Sequence, residues 1–419
     1  MQSFDVSWVS KASAAQRAGR AGRTGPGHTY RLYSSAVFEN HFEQFAKPEI
    51  LRMPIEGVVL QMKSMNLDVV DNFPFPTPPD VIGLNKAEKM LLNLGALTDT
   101  ALSQVKSRFK ITELGRSMSL FPVTPRFAKM LVTGFQHGCL PYVIAIVSAL
   151  SVGDPFIHEE ALKATMNDDD SEDVRQAMRK AFFKSHQKFA SLGNHSSDLF
   201  KVLAAVGAYE YAGGGEAFCK SNFLRSKAMG EIRKLRAQIS YLIQSTFPNV
   251  DANFVPKLNP PNETQQKVLK QLIAAGFIEQ VAVRKDLVEE TENSGKKFQS
   301  CRNIPYKAVG IDQDVYIHPS STIFNGEPPG FITYTEIIQT SQPYMKGITA
   351  IEASWLHKLG RNMCRFSKPI DVPLNAKLAS SETKKEVIVE PFFGPGRGIK
   401  LPAVKMEQVK DSHGRWILA

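Results

Sequence analysis

The stretch "SAAQRAGRAGRTGPG", residues 13–27, sets Arg17, Arg20 and Arg23 at three-residue spacing among alanines and glycines. Residues this small add little to a core, so the arginines carry the information. On a helix, residues three and four apart share a face, which brings Gln16, Arg20 and Arg23 together. Ala and Gly between them keep the surface low, so that a flat group or another backbone can approach. Two converging guanidiniums beside an amide suit a polyphosphate, whose peripheral charge grows during phosphoryl transfer. A basic helix lying on nucleic acid uses the same residue types. A localisation signal does too, although it would need no glycines. As bare chemistry, a nucleotide-phosphate site and a nucleic-acid contact fit equally well.

On either side, "SFDVSWV" (3–9) and "HTYRLYS" (28–34) alternate apolar and polar residues as strands do. The expected unit is strand, helix, strand, with the helix opening at Ser13 or Ala14 and ending at Gly25–Gly27. It opens without the rest of an α/β domain in front of it, so the sequence is expected to be a fragment of a longer protein.

At 419 residues the chain is too long for one core, and several domains are expected. Its net charge of +10, from 51 Lys+Arg against 41 Asp+Glu, favours polyanionic partners, although many basic proteins bind none. Cys139, Cys219, Cys301 and Cys364 are too scattered for a zinc knuckle or a redox pair, so they read as reduced, buried thiols and no metal site is expected. The longest apolar run, 140–150, is too short to span a bilayer, and no membrane partner is expected.

"VIGLNKAEKMLLNLGAL" places Val81, Leu84, Ala87, Leu91 and Leu94 on one helical face with Gly95 as its stop, and Thr112 is positioned to cap the next helix. With a short strand-like segment these helices suit a winged helix. Residues 126–245 are helical in pattern, interrupted by "NDDDSED" at 167–173, an acidic loop or insertion. After Phe247 short strands broken by Gly, Pro and Asn point to a small barrel. Residues 361–419 have low apolar periodicity and read as a tail, with packing on the body and a free extension both left open.

"QRAGRAGR", Gln16 to Arg23, resembles motif VI of superfamily 2 helicases in the form used by DEAH-box RNA helicases. The similarity continues through "ITELGRSMSLFPVTPRFAKML" (111–131), "CKSNFLRSKAMGEIRKLRAQI" (219–239), "VYIHPSSTIF" (315–324) and "YTEIIQTSQPYMKGITAIEASWL" (334–356). The resemblance implies a multidomain chain, mainly α with β. Its parts would be the remnant of a second RecA-like domain (1–46), a winged helix (47–115), a helical bundle or ratchet (116–247), an OB-fold β-barrel (248–360) and a C-terminal extension (361–419). It also implies that Gln16, Arg20 and Arg23 bind the nucleotide, with the two arginines as catalytic fingers, and that ATP and Mg²⁺ serve the full-length enzyme. Asn222, Arg225, Lys227, Ser320 and Ser321 are the implied RNA contacts. "FEQFAKPEILRMPIEGVVLQMKSMNLDVVDNFPFPTPPD" is similar to the family's ribosome-biogenesis branch in the small-subunit processome. That branch implies pre-rRNA and U3 snoRNA as RNA partners, a protein activator on the winged-helix and OB-fold surface, a nucleolar setting and a monomer.

The sequence contains no G-x-x-x-x-G-K-S/T cradle and no D-E-A-H acid pair, and "GPGRGIK" (394–400) has the wrong spacing. On its own it is therefore expected to bind no cofactor and hydrolyse no ATP. An RNA- or protein-binding adaptor without a nucleotide role is the alternative. For the RNA residues, surface solvation and turn formation compete with phosphate contact. His318 reads equally as a turn residue, and Phe331, Tyr334 and Tyr344 individually read as barrel core rather than base-stacking platforms.

Overall fold

Ser10 begins the first helix. The computed structural model describes residues 7–418 apart from 68, 100–108, 136–137, 160, 163–170, 193–194, 290–296, 371–380, 382, 411–413 and 415. The Oγ of Ser10 accepts from the Ser13 amide at 3.1 Å and opens α1 (Lys11–Ala18), which tightens into a 3-10 turn over Gly19–Gly22. Of the strand expected at 3–9, residues 3–6 lie outside the described residues and 7–9 are irregular, and the strand expected at 28–34 is irregular throughout. Alternation makes a strand only where a neighbouring edge supplies ladder hydrogen bonds, and among the described residues no strand pairs with 28–34. Instead α2 (Ser35–His41) gathers Trp8, Tyr33, Phe38 and Phe42 into a small aromatic cluster.

Next come α3 (Glu56–Ser64), α4 (Val81–Asn93), an antiparallel pair β1 (Leu97–Asp99) and β2 (Phe109–Ile111), and α5 (Glu113–Ser119). Leu84, Ala87, Leu91 and Leu94 are buried as their spacing predicts, whereas Val81 at the first turn is exposed. Gly95 leaves α4 at φ +77°, and Thr112 caps α5 by accepting from Gly115 N. A Cβ on Gly115 would stand 2.2 Å from Ala96 O, so only glycine lets α5 lie this close to the hairpin.

Helices α6 (Pro125–Gly134), α7 (Leu140–Val152), α8 (Glu172–Leu192), α9 (Asp198–Tyr211), α10 (Glu216–Ser221) and α11 (Ser226–Thr246) form the bundle. The central α7 is apolar almost all round because α6, α9 and α11 enclose it. Inside the bundle Arg236 meets Glu210 at 3.2 Å and Val255 O at 2.8 Å. Most of the acidic stretch 167–173 lies outside the described residues.

The β texture does not begin at once after Phe247. A helix, α12 (Glu263–Gly276), intervenes and packs on α6. Its sequence signal is a capping box in which Asn262 and Gln265 bond reciprocally. The barrel then uses β3 (Val281–Arg284), β4 (Tyr306–Ala308), β5 (Asp314–Ile317), β6 (Phe331–Thr333), β7 (Glu336–Gln339), β8 (Pro343–Lys346) and β9 (Thr349–Ile351). Their order is β7-β8-β5-β4-β3-β6-β9, with the β5–β8 pair parallel, Tyr316 opposite Tyr344. Only Tyr334 and Thr335 separate β6 from β7, so these are two halves of one bent strand and the sheet closes on itself. Tyr306, Val315, Ile332, Tyr334 and Met345 fill the interior.

After α13 (Ala353–Leu359) the expected tail is folded. Strand β10 (Cys364–Phe366) pairs with β12 (Pro391–Phe393), which pairs with β13 (Ile399–Lys400). Strand β11 (Lys384–Val389) pairs with β14 (Val404–Lys410) and that with β15 (Trp416–Leu418). Phe393 and Leu401 enter the main core, and a Cβ on Gly360 would touch Phe393 and Ile278 at 2.7 Å.

Candidate nucleotide and nucleic-acid interfaces

Gln16, Arg17, Arg20 and Arg23 are all exposed, while Ala14 on the opposite side of α1 is buried. The backbone stays right-handed through Arg23. In a 3-10 turn residues i and i+3 eclipse, so the tightening at Gly19–Gly22 aligns Arg23 with Arg20 more closely than an α-helix would. The chain then folds back, with Thr29 Oγ1 donating to Ala18 O at 3.2 Å, and a Cβ on Gly27 would overlap Ala21 O. Among the described residues no carboxylate pairs with either guanidinium. Both are free to meet an anion.

A second site forms where bundle meets barrel. Residues 154–158 run antiparallel to 223–225: Ile157 N donates to Phe223 O at 3.0 Å and Arg225 N to Pro155 O at 2.8 Å. The Arg225 guanidinium also donates to Asp154 O. Phe223 adopts φ +54°, and this left-handed turn aims α11 so that Lys227 in its first turn is exposed. Asn222 is half-buried, and its amide is engaged by Phe218 O at 2.9 Å, closing α10.

Across from this pair of segments stands the turn after β5. His318 Nδ1 lies 2.7 Å from the exposed Ser320 Oγ, and the imidazole contacts Tyr344 edge-on. Burial lowers the His318 pKa, and Lys346 and His158 lower it further. Ser321 departs from expectation. It is buried and its hydroxyl donates to Asp198 Oδ1 at 3.0 Å, so it offers no free donor to RNA phosphate. Tyr334 is buried in the barrel, while Phe331 and Tyr344 are half-buried.

Behind this edge Lys201 Nζ lies 3.0 Å from His186 Nδ1 and 4.3 Å from the centre of the Phe156 ring. Burial, then Lys201 and His158, push the His186 pKa down to about 3. Sequence reasoning missed His158, Lys201, Asp198 and Lys346, which share no local motif and meet only through the tertiary fold. Among the described residues no cluster of His, Cys, Asp or Glu could hold a metal ion, and no helix is long and apolar enough to cross a membrane.

Residues 87–123 match the winged-helix part of the helicase associated domain (HA2), residues 124–202 its ratchet-like part, and residues 269–363 an oligonucleotide/oligosaccharide-binding (OB)-fold. The chain belongs to the DEAH-box RNA helicases. It is 44% identical over 385 residues to the probable ATP-dependent RNA helicase DHX37 of Homo sapiens, an alignment covering 89% of this chain and 32% of that protein. With the probable ATP-dependent RNA helicase DHR1 of Saccharomyces cerevisiae the identity is 43%, over 94% of this chain and 34% of the relative. With the probable ATP-dependent RNA helicase kurz of Drosophila melanogaster it is 38%, over 85% and 30%. The chain thus spans about a third of the length of the curated relatives it matches. Its winged-helix, ratchet-like and OB-fold domains are those of this family.

Proposed function

We propose that this region guides single-stranded RNA in an ATP-dependent RNA helicase. The observation that supports this best is the hydrogen-bonded join of bundle and barrel, Asp198 accepting from Ser321 and Thr322, beside two separately encoded sets of donors. Arg225 and Lys227 with His158 come from the bundle, and His318, Ser320 and Lys346 come from the barrel. Lysine, arginine and hydroxyl donors at a groove edge bind phosphate and sugar without reading bases. Binding should therefore be sequence-tolerant and steeply salt-dependent. Titrating the chain with homopolymeric RNAs at several salt concentrations tests this, and tight, salt-insensitive binding of one sequence would refute it.

In the complete enzyme Gln16, Arg20 and Arg23 contact the nucleotide, with the two arginines neutralising charge on the transferred phosphoryl group. Their exposure without carboxylate partners fits an anion arriving from outside the chain. ATP would supply the phosphoryl group. Mg²⁺ would accompany ATP in the complete enzyme, and among the described residues no group of His, Cys, Asp or Glu could hold it. The domain limits follow the resemblance: 1–46, 47–115, 116–247, 248–360 and 361–419. The enzyme acts in the nucleolus as a monomer on pre-rRNA and the U3 snoRNA, a reading supported by the likeness of residues 42–80 to the ribosome-biogenesis branch. An activator would dock on the winged-helix and OB-fold side, where a cleft of about 900 Å³ lies between α4, Val309–Gly310 and Met363–Arg365. The adaptor reading has one observation in its favour, the missing G-x-x-x-x-G-K-S/T cradle. Loss of helicase activity on changing Arg20 or Arg23 in the complete protein would exclude it.

A further inference from the structure

Asp198, the first residue of α9, is a bundle residue with every side-chain partner in the barrel. Its Oδ1 accepts from Ser321 Oγ at 3.0 Å, Thr322 N at 2.7 Å and Thr322 Oγ1 at 3.0 Å, and its Oδ2 accepts from Ile348 N at 2.8 Å. The surrounding backbone adds to the join: Asp198 N donates to Ile348 O at 2.8 Å, and Ala350 N to Ser196 O at 3.1 Å. Ser197 and Thr349 share a hydroxyl hydrogen bond at 2.7 Å. Among the described residues no cation forms an ion pair with Asp198, so four donors in fixed directions hold a buried carboxylate. Such hydrogen bonds to a charged group are the stronger kind and depend on geometry.

The captured turn has two sides. Ser321 and Thr322 plug into Asp198, and one and three residues earlier Ser320 and His318 stand at the groove edge. Ser321 N donates to His318 O at 2.9 Å and Ser320 N to His318 Nδ1 at 3.1 Å, so the turn is internally braced and moves as one piece. Fixing its inner side fixes its outer side. On the bundle side the reference points are Arg225, tied to the 154–158 segment, and His158.

We infer that Asp198 is a positioning residue for RNA binding: through Ser321 and Thr322 it holds the turn that carries Ser320 and His318 in a fixed place on the bundle. The inference rests on the RNA-groove reading and adds to it the residue that fixes this turn. Preorganised donors bind more tightly than mobile ones because the ordering entropy is already lost.

The experiment is a double-mutant cycle on the full chain with a labelled oligouridine, using Asp198→Asn, Ser320→Ala and their combination. Asp198→Asn keeps the shape but turns an amide donor toward one of the four donors. The expected result is a loss of affinity of roughly threefold to tenfold for each single variant, and a combined loss well short of their product, as for residues acting through one element. Hydrogen exchange at 318–322 should accelerate in Asp198→Asn while the exchange of β3 and β4 stays as in the parent. If Asp198→Asn does not fold, Thr322→Val removes one of the four bonds, and the same cycle is run with it. Multiplicative losses, or a loosened turn with parental affinity, would overturn the positioning role. Failure of the parent chain to bind oligouridine at low salt would instead overturn the RNA-groove reading itself, and this inference with it.

Discussion

Lys201 Nζ lies 3.0 Å from His186 Nδ1, so the imidazole sits as a neutral acceptor against an ammonium. Protonating His186 would set two cations against each other in a half-buried site, in agreement with a folded pKa pushed down to about 3. In the unfolded chain the same side chain titrates near 6.5. Between these values only the unfolded state takes up the proton, so stability is complete above pH 6.5 and falls as pH drops toward 3. This group alone contributes a slope of at most about 1.4 kcal/mol per pH unit. Melting curves from pH 7.5 to 5 should show the fall, and a variant with His186→Gln should flatten it. An equal slope in the variant would assign the acid sensitivity elsewhere.

Arg20→Ala and Arg23→Ala should leave the chain's stability within about 0.5 kcal/mol, because both side chains are exposed. In the complete helicase each should cut ATP turnover by about three to five orders of magnitude with RNA affinity nearly unchanged. Steady-state ATPase assays and RNA titrations separate the two effects. Weakened RNA binding with normal turnover would make the cluster a nucleic-acid contact.

RNA affinity should fall with salt at a slope of about −0.7 per neutralised phosphate. Replacing Lys227 or Lys346 by Gln should weaken all homopolymers alike and reduce the slope by about one contact each. Ser321→Ala should act through the turn rather than on the salt slope, since its hydroxyl is held by Asp198. A changed slope would return Ser321 to the surface.

Arg236→Ala should destabilise the bundle by about 1–3 kcal/mol, because it removes the buried partner of Glu210 and leaves that carboxylate with Arg233 at 3.5 Å alone. Arg236→Met should be milder when Glu210→Gln accompanies it, since the buried charge is then gone. Urea melts monitored by circular dichroism measure both variants.

Gly360→Ala should destabilise by about 1–3 kcal/mol, because the added methyl would meet Ile278 and Phe393 at 2.7 Å. Parental stability would show that β12 does not rest on the body as described.

Much of the architecture was legible locally. The apolar spacing of α4, the cap at Thr112 and the stop at Gly95 are properties of a few neighbouring residues, and each appears in the structure. The strand expectation at 28–34 failed for the opposite reason: period-2 alternation is local, but a strand needs a partner edge. Whether the C-terminal segment packs was left open by the sequence because its strands are short and their pairing, such as Lys384 opposite Val409, joins residues about 25 apart. The capping box at Asn262 and Gln265 was readable and would have announced α12.

The candidate sites divide along the same line. Gln16, Arg20 and Arg23 lie within eight consecutive residues, so the sequence by itself determined that they share a face, and folding had only to leave that face exposed. At the groove, sequence singled out Arg225, Lys227 and Ser320 by type, while Ser321, one position on, was of the same type and was turned inward. Only the tertiary structure decided between those two serines. The deciding group, Asp198, is 123 residues away in the chain, and its carboxylate must be satisfied by hydrogen bonds once it is buried. Whether a hydroxyl faces solvent or a buried acid depends on what packs against it, and that is a contact no local pattern encodes.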